Sequence, residues 1–429
     1  MQAAKLGLTA MVVCSTAFVT LGRSQLKALG CADLPIALMP HPFGVRTRAQ
    51  VRELAETLVH EVVRLALGGA DKTGAAAVTA NKAETRAVEI ALPADLIAFN
   101  EACEQRRWSD GLPLIPPTPE RVTAMLAASK RGRDEIVAHV APGFGAATVE
   151  RIAINAVMAG CRPAYLAALI AAVEAVADQQ LNIQGIQATT NSATPWIIVN
   201  GPAAAALGVN AGLNCLGQGH RANATLGRAL RLILQNIGGA LPGEMDRATH
   251  GQPGKYSFCC AENEAANPWT PLHVERGFAA GDSVVTVVGA AGTLNLTTHS
   301  TDAVDLLRVL ATSLVYPTSN DYHFAGEPWL ILSPEHAEVL SRGGYSKDDI
   351  KQQLWEQSKM PAHRFARKDY DRAEHTRSKE LGGFSPDTPV PISPTPAEIG
   401  IVVAGGPGTH SVYVPTFGQT RAVSRRIDA

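Results

Sequence analysis

The chain has 429 residues, 46% of them apolar and 18% charged, with 38 basic side chains against 39 acidic ones. That length exceeds one small core and sets two or three domains as the prior, while a net charge of −1 leaves no electrostatic footprint for nucleic acid or an anionic membrane. Seven cysteines, odd in number and without a C-x-x-C pair, read as a reduced cytoplasmic protein rather than a disulfide framework.

The chain opens on MQAAKLGLTAMVVCSTAFVTLG, one lysine followed by an apolar run in the manner of a secretory leader. Thr9, Cys14, Ser15 and Thr16 interrupt the run, no A-x-A site follows cleanly, and the stretch is too short and too polar for a membrane span. TAMVVCS then reads as a strand, FVTLGRSQLKALG as an amphipathic helix ended by Gly30, and LPIALMP as a second strand. RAQVRELAETLVHEVVRLAL is a helix with apolar residues at helical spacing. With so few residues between them, the two strands are expected to be parallel. Residues 1–68 thus form a β-α-β-α unit, and residues 69–93 lose periodicity and read as a linker.

Residues 94–429 interleave helices such as ATVERIAINAVMAGC and NATLGRALRLILQNIGGA with strands such as TPWIIVNGP, SVVTVVGA, PWLILSP and EIGIVVAGG. The class is α/β. Residues 361–398, with a basic tract and six prolines, read as a long surface excursion. Residues 136–209 and 283–345 share a strand, a glycine turn, a helix and then Pro-Trp, an apolar strand and a Pro-led helix. This suggests two related halves, although any α/β protein repeats such units.

Chemistry-bearing residues concentrate in GKYSFCCAENEAANPWTPLHVERGF. If SFCCAENE and LHVER are extended, Glu262 and Glu264 share one face, as do His273 and Glu275, because side chains alternate along a strand. A loop folding the two arms together would gather one imidazole and three carboxylates. That set suits a divalent cation such as zinc, manganese or iron. Without a metal, it supplies a histidine base held by a carboxylate; alternatively the carboxylates pair with Arg276 and Lys255 at a loop rim. Cys259 and Cys260 read first as small buried hydrophobes, and a reactive Cys259 thiolate would need a cation such as Lys255 or His250.

Four further places suit ligand contact or pocket walls. In NAGLNCLGQGHRANATLGR a glycine-rich turn opens a helix with His220, Arg221 and Asn223 at its mouth, a setting for an anion or simply a tight turn. In EIGIVVAGGPGTHS a strand runs into a glycine turn and then His410 and Ser411, where α/β proteins bind ligands. RRWSDGLPLIPPTPERV and MPHPFG add Trp108, Asp110 and His41 as pocket-wall or ligand-facing candidates.

FVTLGRSQLKALGCADLPIALMPHPFGV followed by VRELAETLVHEVV resembles the UGSC selenoprotein and selenoprotein-like family, as do WSDGLPLIPPTPERV, VERIAINAVMAGCRPAYL, GHRANATLGRALRL, GEMDRATHGQPGKYSFCCAENE and VVAGGPGTHS. The likeness is to a long form with a larger C-terminal domain. The family's Sec/Cys-Gly-Ser-Cys motif is absent, so the motif has been lost or the gene model begins at an internal methionine. The resemblance implies a thiol- or selenol-linked oxidoreductase acting on a small molecule. On that reading Cys259, Glu262, Glu264, His273 and Glu275 react, and His220, Arg221, Asn223, His250, His410 and Ser411 hold substrate. A metal-dependent hydrolase or lyase and a non-catalytic partner subunit are the alternatives. The Ala/Gly-rich helices are compatible with a homo-oligomer.

Overall fold

Short β-branched runs closed by Gly or Pro form the strands of this computed structural model, which describes residues 4, 6, 8–43, 45–67 and 87–428. β1 (Val12–Ser15) and β2 (Ile36–Met39) pair in parallel, with Val12 opposite Ile36. The helix Val19–Ala28 crosses between them, as the short spacing requires. The helix Arg48–Leu67 lies against β2. None of its residues is buried, and Val59 and Val63 stand exposed, because two strands offer too narrow a surface to cover twenty residues. Of the expected linker, residues 69–86 lie outside the described residues; residues 87–93 carry no regular element.

β3 (Ile136–Val140) and β4 (Gly145–Thr148) form an antiparallel pair of their own. The remaining strands are β5 (Thr194–Asn200), β6 (Cys259–Ala261), β7 (Val284–Ala290), β8 (Leu294–Thr297), β9 (Trp329–Leu332), β10 (Met360–Pro361), β11 (Pro389–Val390), β12 (Gly400–Val403), β13 (His410–Val414) and β14 (Val423–Arg426). They build two mixed four-stranded sheets, ordered β14-β7-β5-β6 and β12-β9-β13-β8, beside the small β10-β11 pair. In the first sheet β5 is parallel to β6 and antiparallel to β7, which is antiparallel to β14. In the second, β9 is parallel to β12 and antiparallel to β13, which is antiparallel to β8. The two sheets therefore share one pattern of directions, with the Pro-Trp strands β5 and β9 in equivalent places. The chain leaves the first sheet after β7 to enter the second as β8, and returns after β13 as β14.

Strand alternation sorts the side chains into three cores. Ile197, Val199, Val285 and Val287 face the helices Val149–Ala159, Leu166–Ala177 and Arg221–Asn236. Leu330, Leu332, Ile401 and Val403 face the helices Ala303–Ser313, Pro334–Arg342 and Lys347–Gln357. The opposite side chains, Trp196, Ile198, Cys260, Val288, Trp329, Ile331 and Val402, meet between the sheets. Trp196 and Trp329 touch edge to face there, with centroids 5.9 Å apart at 85°. The result is a four-layer helix–sheet–sheet–helix sandwich.

Residues 361–398 depart from the expected surface excursion. They contain the helix Arg367–Arg377 and β11, and bury Phe365, Ala373, Val390 and Ile392 in the second core. Prolines and basic residues dominate the composition and mask these few well-placed apolar positions. Among the described residues, no single helix is long and apolar enough to cross a membrane.

Candidate functional site

At the C-terminal ends of the parallel strand pairs three loops meet. Ala261 N–H donates to Asn210 O at 3.2 Å, Asn263 N–H to Val403 O at 2.7 Å, and Gly405 N–H to Ala211 O at 2.8 Å. The loops after β6 and β12 and the glycine-rich loop before the helix Arg221–Asn236 are thus sewn into one surface. β5 contributes its last residue, Asn200, which is fully buried.

Asn200 organises the carboxylates. Its Nδ2 donates to Glu262 Oε2 at 2.5 Å and to Glu264 Oε1 at 3.0 Å. Gly201 N–H adds a bond to Glu264 Oε1 at 2.7 Å. Gly201 holds φ +76°, and a Cβ there would collide with the carbonyl oxygen of Asp282, so glycine alone permits this donor. Glu262 also accepts from Leu272 N–H and Asn267 Nδ2, each at 2.8 Å. Burial raises its pKa, against the opposing pull of Lys347, Leu272 N–H and Asn200.

His273 is 1% exposed. Its Nε2 lies 3.4 Å from Ala280 O, which fixes the proton on Nε2. Nδ1 has no hydrogen-bond partner and lies 3.7 Å from Glu264 Oε1. The Glu264 side chain keeps 30% exposure, so the pair spans from solvent to a buried imidazole. A cleft of about 370 Å³ lies between residues 265–268 and the helix Pro334–Arg342; its lining begins one residue after Glu264 and includes neither Glu264 nor His273. Asn267, the partner of Glu262, lines it.

The expected four-residue cluster is corrected in one member. LHVER is not extended: Leu272–Glu275 form a short helix, in which residues two apart project about 200° from each other. His273 therefore turns to Glu264, whereas Glu275 turns to Lys347 at 3.0 Å and to Lys351. Burial pushes the Glu275 carboxyl up, but the two lysines outweigh it and hold it below its usual range. Among the described residues no three His, Cys, Asp or Glu side chains are placed to hold a metal ion, so the expected ligand set of Glu262, Glu264, His273 and Glu275 does not assemble. The rim pairing is also different: Lys255 bonds Asp246 at 2.6 Å, and Arg276 lies 3.7 Å from Glu327.

The remaining candidates scatter. Cys259 sits in the helix-facing core, and burial drives its thiol far up, which disfavours the thiolate. Arg221 donates twice to Gly160 O rather than facing an anion. Asn223 is buried and clasps Asn210 O and Cys215 O. His220 caps the same helix by position without a side-chain bond, and His250 is exposed on a bend. His410 is exposed on β13 beside Thr297, at 3.0 Å. Ser411 is buried, 2.7 Å from His336 Nδ1. Asp110 is tied to Arg228 at 2.7 Å, and His41 to Ser15 at 3.3 Å.

Asn200, Asn267 and Lys347 were not legible as site residues. Asn200 left one trace, a polar residue ending an apolar strand just before Gly-Pro.

The architecture defines an α/β protein whose large sandwich follows a small parallel β-α-β-α unit. Residues 1–68 match the model of the UGSC family. The chain thus carries a UGSC-family segment, and the site described above lies in the additional C-terminal region. No curated protein and no solved structure matches the chain.

Proposed function

We propose that the C-terminal region is an enzyme that moves a proton on a small-molecule substrate, in a hydrolase- or lyase-type reaction, with Glu264 and His273 as its acid–base pair. The observation that carries this reading is the buried, unpartnered Nδ1 of His273 facing the half-exposed Glu264 carboxylate. Asn200 and Gly201 N–H fix the orientation of Glu264, and the Ala280 carbonyl fixes the imidazole tautomer. A proton taken from substrate by Glu264 is handed to Nδ1, where the carboxylate then stabilises the imidazolium. Glu262 does not face the substrate; it positions Asn200 and the loop that carries Asn267. On this reading substrate enters from the cleft whose lining begins at Ala265, next in the chain to Glu264.

Thiol- or selenol-linked chemistry with Cys259 as the reacting group has less support, because that thiol is buried and held protonated.

The test is a turnover screen of the purified chain in D2O against small esters, amides, hydroxy acids and ketones, with hydrolysis, elimination and deuterium incorporation followed by NMR. Glu264→Gln and His273→Asn are each expected to lower whichever turnover is found by about 10²–10⁴-fold. A variant that folds and keeps wild-type turnover removes the pair from the mechanism.

A further inference from the structure

The second sheet carries a polar group that the proton-transfer site does not use. β9 occupies in its sheet the place of β5, and the residue after it, Ser333, opens the helix Pro334–Arg342. His336 lies in the first turn of that helix, and Ser411 is the second residue of β13, which pairs antiparallel with β9. Ser411 Oγ is 2.7 Å from His336 Nδ1. His336 Nε2 is 3.0 Å from the carbonyl oxygen of Thr298, in the loop after β8. Ser333 N–H donates to the same Ser411 Oγ at 3.3 Å.

A carbonyl oxygen only accepts, so Nε2 carries the proton in its bond to Thr298, and Nδ1 presents a lone pair to the Ser411 hydroxyl. Burial lowers the His336 pKa, opposed by the Thr298 carbonyl and Glu335 and aided by His410 and His299, so the imidazole is a neutral base at pH 7. Ser333 N–H stands where negative charge grows as the hydroxyl proton leaves. A hydroxyl, a base within hydrogen-bond reach and a third group that orients the base are the parts of an activated nucleophile. Ser411 and His336 are each 1% exposed, yet exposed His410 precedes Ser411 and exposed His299 follows Thr298. The two outer imidazoles are held aside by threonines, His410 by Thr297 at 3.0 Å and His299 by Thr409 at 2.7 Å. The pair thus lies one residue beneath the surface, just after the glycine turn 405–408, a depth that suits only a small electrophile.

From this geometry we infer that Ser411 is a nucleophile for acyl transfer with His336 as its general base, a second, esterase-type activity on small acyl esters that does not use the Glu264–His273 pair. Ser411 Oγ attacks the ester carbonyl carbon as its proton passes to His336 Nδ1. The ester C–O bond breaks, and the alcohol leaves with that proton. Water then attacks the acyl-serine carbonyl and gives a proton to Nδ1, and the Ser411 oxygen recovers it as the carboxylic acid departs. The sum is ester plus water to acid plus alcohol, with no change of oxidation state.

The experiment treats the full chain with methanesulfonyl fluoride, a small electrophile whose sulfur takes the serine oxygen, releases fluoride and leaves a bond that water does not cleave. A peptide map of the wild-type chain is expected to place one methylsulfonyl group on Ser411. The labelled chain is expected to lose the hydrolysis of p-nitrophenyl acetate that the unlabelled chain shows. The labelling rate should be half-maximal below about pH 6.5, as a base of lowered pKa requires. His336→Gln is expected to slow labelling of Ser411 by about 10²-fold or more. A wild-type chain that stays unlabelled at Ser411, or that hydrolyses p-nitrophenyl acetate equally well once labelled there, overturns the proposal without reliance on a variant. Labelling of His336→Gln at the wild-type rate removes the imidazole as base and overturns it as well.

Discussion

Asp321 and Glu327 show how far burial alone moves a side chain's chemistry. Asp321 is fully buried and accepts from Tyr413 OH at 2.6 Å and Thr416 Oγ1 at 2.7 Å; burial nevertheless lifts its pKa to about 6. Glu327 accepts from Ala422 N–H and, by burial, rises to about 7. An acid whose folded pKa lies above its unfolded one binds protons more tightly when folded, so it subtracts stability as pH rises between the two values. From about pH 4 to 7 each group is expected to cost on the order of 3 kcal/mol, and the full cost persists at higher pH. Urea titrations from pH 5 to 8 should show Glu327→Gln with a flatter loss of stability than wild type; equal slopes would mean the carboxyl does not stay protonated in the fold. At the same scale Cys259 should resist iodoacetamide in the native protein and react only on unfolding, as read by mass of the labelled peptide.

Among the elements, the turn after β5 is the most constrained part of the site. Gly201 adopts positive φ, has no room for a Cβ, and delivers an N–H to Glu264. Gly201→Ala is expected to cost about 1–3 kcal/mol of stability and to remove the turnover assigned to Glu264, measured by urea unfolding and the NMR screen on the same sample. The strand that leads into this turn was legible: PWIIVN is a short apolar run closed by Gly-Pro, and it forms β5 as expected. The two arms of the acidic segment were not. SFCCAENE keeps Glu262 and Glu264 together even though β6 ends at Ala261, because Asn200 holds both. LHVER is too short for periodicity to separate a strand from a helical turn, and that single choice decides whether Glu275 joins His273 or the lysines. Asn200 and Glu262 lie 62 residues apart, and they meet only because β5 pairs with β6. No local pattern encodes such contacts.

Over the whole molecule, the two sheets are joined covalently as well as by packing. Had each half closed its own sheet, β7 and β8 would be neighbours; instead β8 pairs with β13, and β14 pairs with β7. All four strands of the second sheet lie between β7 and β14 in the chain, so it is inserted into the first, and the Trp196–Trp329 contact lies in the core the two sheets enclose. Both indoles are 0–1% exposed, so truncation of either removes a large aromatic from a close-packed layer. Trp329→Ala is expected to cost about 3–5 kcal/mol. That loss should lower a single cooperative transition seen alike by far-UV circular dichroism and by the fluorescence of the remaining tryptophans. The crossovers make this outcome specific. If the sheets were independent domains, damage beside β9 would shift one transition and leave the β5 sheet melting where it did. Two separated transitions in Trp329→Ala would therefore contradict a shared core between the inserted sheet and its host, and one shifted transition would mean that the candidate site at the end of β5 depends on the integrity of both sheets.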